Sequence, residues 1–270
     1  MSKNVKVMVL RTAGTNCNEE TAFAFERLGA QVAQVHVNAA VAGQTQLSNF
    51  HILAIPGGFS HGDDIASGRI LANELRLKLG KELRQFIADG KLVIGICNGF
   101  QILAKAGILP GLEKAQEGPN SSHQEATLFY NDSGKFEARW VHLTVESPKC
   151  VWTQGIPSQI FLPVAHGEGK FIPKDEYVLR QLKDNGQIVF RYCTAEGQKP
   201  SYPDNPNGSV EDIAGICDTT GRVLGLMPHP ERHYFFEQHP FWTRLVRTGD
   251  FGEGAQIFQN GINYIKKNLL

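Results

Sequence analysis

Along the first hundred positions, apolar residues come in short runs separated by stretches of helical period. Residues 4–10 form a hydrophobic run of strand length. Between 17 and 28, Ala22, Phe25 and Leu28 share one helical face, and Gly29 follows as a C-terminal stop. Residues 32–37 are β-branched and short, and residues 51–56 form another strand, ended by Pro56-Gly57-Gly58. The pattern predicts a helical region over 68–88 with a break at Gly80. A fourth strand is expected over 92–96, then a short helix over 98–106 stopped by Gly107. Strands alternating with helices of this length predict an α/β fold with a parallel sheet covered on both faces.

The second half is richer in strands. Candidates are 139–145, 160–164, 187–192, 213–217 and 222–227. The last two flank Asp218-Thr219-Thr220-Gly221, a turn signal, so a hairpin is expected. Phe258, Ile262, Ile265 and Leu269 recur at helical spacing and predict a helix over about 254–267 docked on the rest of the chain. Residues 110–122, rich in Gly, Pro, Ser and Asn, read as a loop. No linker divides the 270 residues, so one domain is expected, with a C-terminal helical extension over about 240–270.

Composition narrows the function classes. Lys plus Arg and Asp plus Glu both number 27, and with no basic excess the sequence gives no support for nucleic acid or an anionic membrane as the main partner. The apolar runs are far shorter than a bilayer span, and the N-terminus reads as a buried first strand rather than a signal peptide. Five cysteines, at 17, 97, 150, 193 and 217, form no CxxC pair and suit neither a disulfide framework nor a cysteine-rich zinc site. The expectation is a reducing, cytoplasmic setting in which one cysteine does chemistry.

The sharpest local signal is Gly95-Ile96-Cys97-Asn98-Gly99, between a buried strand and a helix. This is the context of a nucleophile elbow, with cysteine where hydrolases often carry serine. A tight strand-to-helix turn pushes the side chain out at the carboxyl edge of the sheet, and the helix N-terminus favours a thiolate. The plainer alternative is a core cysteine before an ordinary glycine turn. A nucleophile needs a base, and His229 lies in Met227-Pro228-His229-Pro230-Glu231, where Glu231 can hold the imidazole from behind. The histidine is then expected within hydrogen-bond reach of Cys97. The rival readings are a rigid surface turn and a metal cluster of His229, Glu231, His233 and His239. Pro230 disfavours the helix that such a metal motif needs. Pro56-Gly57-Gly58 ends a strand expected beside that of Cys97, so its backbone N–H groups suit an oxyanion hole, with the N–H of Asn98 as the second donor. Read alone it is a plain turn.

Six strings in order resemble the class I, triad-type glutamine amidotransferases. They are 10–17 (LRTAGTNC), 56–63 (PGGFSHGD), 95–101 (GICNGFQ), 165–169 (AHGEG), 204–209 (DNPNGS) and 227–231 (MPHPE). The resemblance implies a flavodoxin-like, mostly parallel sheet flanked by helices, with additional antiparallel strands in the second half. It implies glutamine hydrolysis through a thioester on Cys97, with His229 as base and then acid and Glu231 as its orienter. It further implies oxyanion N–H groups from Gly58 and Asn98, and a glutamine pocket lined or supported by Gln101, His166, Gly167 and Glu168. The strings 14–17, 166–169 and 204–209 point to the branch whose ammonia passes to a larger synthase subunit, with a small accessory subunit as a further partner. That synthase, using ATP and Mg, converts formylglycinamide ribonucleotide to its amidine in purine biosynthesis. The resemblance assigns no cofactor and no metal to this chain itself. The alternatives are an amidotransferase subunit of another synthase and a non-catalytic regulatory subunit. Relatives differ at His61 and Asp64, and the stretch 112–140 and the tail after Glu231 look long for the family.

Overall fold

A computed structural model describes residues 4–112 and 124–270 of the protein. Most of the loop expected over 110–122 therefore lies outside the described residues. The first half alternates as β1 (Lys6–Arg11), α1 (Asn18–Arg27), β2 (Gln31–His36), α2 (Val37–Val41), β3 (Ile52–Ile55), α3 (Arg69–Lys78), α4 (Gly80–Ala88), β4 (Leu92–Ile96) and α5 (Asn98–Lys105). The second half contributes β5 (Ala126–Phe129), β6 (Glu137–Val145), β7 (Gln159–His166), β8 (Lys170–Pro173), α6 (Glu176–Asp184), β9 (Ile188–Cys193), β10 (Ile213–Cys217), β11 (Val223–Leu226) and α7 (Ala255–Asn268).

Among the described residues, one nine-stranded sheet runs β2-β1-β3-β4-β11-β10-β9-β6-β7, and β5 pairs separately with β8. Every pair from β2 to β11 is parallel, and every pair from β11 to β7 is antiparallel. The parallel half has the flavodoxin-like order, with β11 as its fifth strand although it comes last in sequence. Its central strands β3, β4 and β11 are buried along their whole length, as expected of strands covered on both faces. β7 alternates between half-buried and buried positions, the mark of an antiparallel strand with one covered face.

The expected hairpin is present as β10–β11. Asp218 closes it: one carboxylate oxygen accepts the N–H groups of Arg222 and Val223, and the other accepts the Thr220 hydroxyl. The helical region over 68–88 breaks one residue before Gly80, at Leu79, whose φ of −123° leaves the helix. β6 and β7 extend further than the hydrophobic runs suggest. Their pairing continues to Glu137 opposite His166, because backbone pairing does not need apolar side chains. Helices α2 and α6 and the strands β5 and β8 had no assignment from sequence. α6 is nonetheless well specified, with Asp175 capping Val178 N–H at 2.9 Å and Val178, Leu179 and Leu182 buried.

β3, β4 and β11 are neighbours in register, with Ile55 opposite Gly95 and Leu226 opposite Ile96. Their carboxyl ends therefore emerge at one edge. The segments that follow them, from Gly57, Cys97 and His229, start within a residue or two of each other in space. Among the described residues, no helix is long and apolar enough to cross a membrane.

Residues 239–251 form an exposed excursion, and α7 then packs back. Phe258 meets Phe25 of α1 edge-on at 5.0 Å. Gly261 lies against the Trp152 ring, and Asn260 Nδ2 donates to the carbonyls of Trp152 and Gln154. Phe258, Ile262 and Ile265 are fully buried. Truncation after Arg247 is expected to expose this surface and drive the chain into the insoluble fraction. In the full chain, Phe258→Ala is expected to cost ~3–5 kcal/mol, read from urea denaturation.

Candidate active site

Cys97 occupies the single residue between β4 and α5, with φ 51° and ψ −105°, a conformation that disfavours any side chain. Its N–H is anchored on Leu226 O at 2.8 Å. The turn closes only because both flanking glycines lack a Cβ. A methyl group on Gly99 would overlap the Ile55 carbonyl, and one on Gly95 would stand 2.6 Å from Gly99 O. Cys97 is 5% exposed, and its thiol contacts Ala165 O at 3.7 Å.

His229 follows β11 and is held by its backbone N–H on Pro163 O at 2.8 Å. Its Nδ1 pairs with Glu231 Oε1 at 2.6 Å, and both side chains are buried. Burial alone would lower the imidazole pKa. The charge of Glu231, followed by the sulfurs of Cys97 and Cys17, outweighs it and holds His229 well above the ordinary histidine value. The Nε2 atom has no hydrogen-bond partner among the described residues. His229 and Cys97 are thus neighbours without a closed hydrogen bond between them. The convergence centres on Gly57. A methyl group there would lie 2.8 Å from His229 Cε1, 3.1 Å from Cys17 Sγ and 3.4 Å from Cys97 Cβ.

The candidate oxyanion donors sit at the other strand end. Gly57 O accepts the N–H groups of Asn16 at 3.4 Å and Cys17 at 3.2 Å, which turns the Gly58 N–H of the same peptide the opposite way. Gly58 has φ 140°, and a Cβ there would strike Asn16 N and Gly14 O. Asn98 opens α5, so its N–H has no acceptor within the helix. Its side chain is tied to Gln101 Oε1 at 2.9 Å and accepts Ser60 N–H at 3.3 Å.

The remaining pocket candidates form a supporting network. Gln101 Nε2 donates to Glu168 O at 2.5 Å. The Glu168 carboxylate faces away from that carbonyl bond, accepting Ser67 N–H and standing 3.7 Å from Lys105 Nζ. His166 ends β7, beside the Ala165 carbonyl that meets Cys97. Burial, reinforced by His229, pushes its pKa down to about 3, so it is neutral. Gly167 O accepts Asn131 N–H at 2.9 Å. Asn207, from the 204–209 string, donates to the buried Tyr192 hydroxyl at 3.0 Å and so stiffens the wall near Cys97.

The geometry adds residues that sequence reasoning did not single out. Asn131 grips the turn around His166, donating to His166 O and accepting from Gly169 N–H while contacting His166 Nδ1. Nothing local in its sequence marks that role. Cys17 was singled out only as part of a string, yet its sulfur sits beside His229. It donates to Asn16 Oδ1 at 3.2 Å and accepts from Arg232 at 3.1 Å, and burial, partly offset by His229, pushes its pKa up. One ligand atom each from Cys17, His229 and Glu231 lie within 4.8 Å of one another. A cation there would have to displace the Glu231–His229 bond, deprotonate a thiol whose pKa is raised and sit beside a guanidinium. The donor set therefore fits an acid–base site better than a metal site. His233 and His239 stand instead against Trp140, with His233 Nδ1 on Phe161 O at 2.9 Å.

A strained cysteine, a carboxylate-backed histidine and free N–H groups at adjacent strand ends describe a site for acyl transfer. The chain matches the CobB/CobQ-like glutamine amidotransferase domain over residues 4–265, which places it in the class I amidotransferases. It is 47% identical over 269 residues to phosphoribosylformylglycinamidine synthase subunit PurQ of Dehalococcoides mccartyi, covering 99% of this chain and 100% of that protein. It is 42% identical over 273 residues to the PurQ subunit of Methanococcus maripaludis (strain C5), covering 97% and 99%. A chain in the structure of PurLQS from Thermotoga maritima superposes with a TM-score of 0.72 at 29% identity, covering 97% of this chain and 100% of that one. The chain belongs to the PurQ family of amidotransferase subunits.

Glu231→Gln is expected to keep a hydrogen-bond partner on His229 while removing the charge that raises its pKa. The imidazole should then titrate at lower pH, read by NMR of the ring protons. Glutamine turnover should fall ~10²–10⁴-fold. In the wild type, the raised pKa contributes stability that is complete below about pH 6.5, where the unfolded histidine is protonated. That contribution is lost as pH rises through the folded-state value.

Proposed function

We propose that this chain is the glutaminase subunit of a phosphoribosylformylglycinamidine synthase and that Cys97, His229 and Glu231 are its catalytic triad. The observation that carries the reading is the meeting of Cys97 and His229 at the ends of the adjacent strands β4 and β11, in a chain whose relatives are PurQ subunits along their whole length. The reaction follows from the geometry. The Cys97 thiolate attacks the side-chain amide carbon of glutamine, and the oxyanion is met by the N–H groups of Gly58 and Asn98. His229, held by Glu231, gives its proton to the departing nitrogen, and ammonia leaves a glutamyl thioester. Water then attacks the thioester with His229 as base, and glutamate is released as the thiol re-forms. No group beyond the chain's own side chains and backbone is needed for these steps.

Gln101, His166, Gly167 and Glu168 support the glutamine pocket mainly by fixing the β7–β8 turn against α5. The ammonia passes to a larger synthase subunit, with a small accessory subunit as further partner. There ATP and Mg activate the amide oxygen of formylglycinamide ribonucleotide, which ammonia replaces. The whole chain acts as one amidotransferase unit with α7 as part of it. Its five free cysteines suit a reducing cytoplasm.

Free ammonia in neutral water is mostly protonated, so uncoupled hydrolysis wastes glutamine. The 57–58 peptide is a suitable gate, because glycine tolerates a flip and, among the described residues, the Gly57 carbonyl is restrained by two backbone hydrogen bonds, from Asn16 and Cys17.

Cys97→Ala is expected to abolish glutamine-dependent amidine formation by the reconstituted synthase while leaving ammonia-dependent formation intact. A glutamine-analogue electrophile should label Cys97 and spare the other four cysteines. Labelling elsewhere, with Cys97→Ala still active, would overturn the triad. The isolated chain is expected to hydrolyse glutamine ~10²–10³-fold more slowly than with synthase and acceptor nucleotide present. Equal turnover in both conditions would remove the gate but leave the chemistry.

A further inference from the structure

A cavity of about 470 Å³ opens between α3, the end of α5 and β5, away from Cys97. Its charge is unusual for a net-neutral chain. Arg69, Asn73 and Arg76 line it from one face of α3, and Lys105 enters from α5. The side chains of Arg69 and Arg76 make no hydrogen bond or ion pair among the described residues. The side-chain cations are close enough that Arg69 opposes the charge on Lys105. Among the described residues, the one carboxylate lining the cavity, Glu168, is already engaged by Ser67 N–H and by Lys105. Among the described residues, two guanidinium groups therefore line the space without a hydrogen-bonded or ion-paired carboxylate.

Spacing and shape narrow the ligand. Seven residues of helix set Arg69 and Arg76 about 10 Å apart along the axis, wider than one phosphate spans and suited to a chain of phosphates. Arginine's planar fork matches phosphate oxygens. The cavity also carries Phe129 and Tyr130, 53% and 61% exposed, with rings edge-on at 5.2 Å. Large aromatic side chains left in water beside cations offer a stacking surface for a flat ring. The volume lies within the range of small-molecule sites, ~300–1,000 Å³.

We propose that this cavity is a second ligand site, separate from the glutamine site, that binds a nucleoside di- or triphosphate, with Arg69 and Arg76 on the phosphates and the Phe129–Tyr130 pair against the base. It adjoins the glutamine side through Glu168, which lines the cavity, with its carboxylate beside Lys105 and its carbonyl holding Gln101.

The test uses the full chain and ADP as probe, with binding followed by calorimetry. ADP is expected to bind saturably, pyrophosphate to compete and adenosine alone to bind much more weakly. Each of Arg69→Ala and Arg76→Ala should weaken ADP by about tenfold, and the double variant by more, with the circular dichroism spectrum and glutaminase activity unchanged. Tyr130→Ala should weaken ADP but not pyrophosphate. Absence of saturable ADP binding to the wild-type chain, or equal affinity in the double arginine variant, overturns the proposal. Because the readout is binding alone, it stands or falls separately from the glutaminase reading.

Discussion

The close approach of Gly99 to the Ile55 carbonyl is the constraint on which the site depends. α5 starts where β4 ends, and its first turn lies directly on the last residue of β3. No side chain fits between them. That contact forces the chain through the strained Cys97 conformation and aims the thiol at the sheet edge. It also sets Asn98 N–H and the Gly57–Gly58 peptide on neighbouring segments. Strain at one residue is tolerated because the flanking strand and helix are fully buried and leave the turn no other path.

From that edge, the polar groups fall into two sets with different physical tasks. His229 and Glu231 form a buried charged pair whose electrostatics hold the imidazole ready to be protonated. His166, just as buried and close by, has the neutral Asn131 on its Nδ1 instead of a carboxylate, and burial outweighs the charge of Glu137 and keeps it neutral. The same residue type is thus pushed in opposite directions within one site, decided by whether a carboxylate is hydrogen-bonded to the ring. Around them, Asn131, Gln101, Asn98 and Asn207 use neutral hydrogen bonds to fix loops that have no regular secondary structure.

The antiparallel half of the sheet matters to the site because it supplies the far wall. β7 extends until the Ala165 carbonyl reaches the Cys97 sulfur, and β10 places β11 so that His229 returns to β4. A parallel sheet alone would leave the cysteine open to solvent on that side.

The elbow, the His-Pro-Glu string and the α/β alternation were legible in the sequence because each is a local matter of glycine placement, fixed backbone or hydrophobic period. The identities of Cys97, His229 and Glu231 as candidates needed nothing more. The partners of those residues are another matter. Cys17 beside His229, Asn131 around His166, Lys105 on Glu168 and the pairing of β5 with β8 join residues tens to hundreds of positions apart. Their side chains carry no periodicity that marks them. Insertion of β11 beside β4 is what brings His229 to Cys97, and a strand's place in a sheet depends on which buried faces can pack together, not on its own sequence. The sequence by itself therefore determined which groups are candidates for the chemistry. Only the tertiary structure decided which of them meet, what charge each carries and what surrounds them, because burial and proximity are properties of the packed chain.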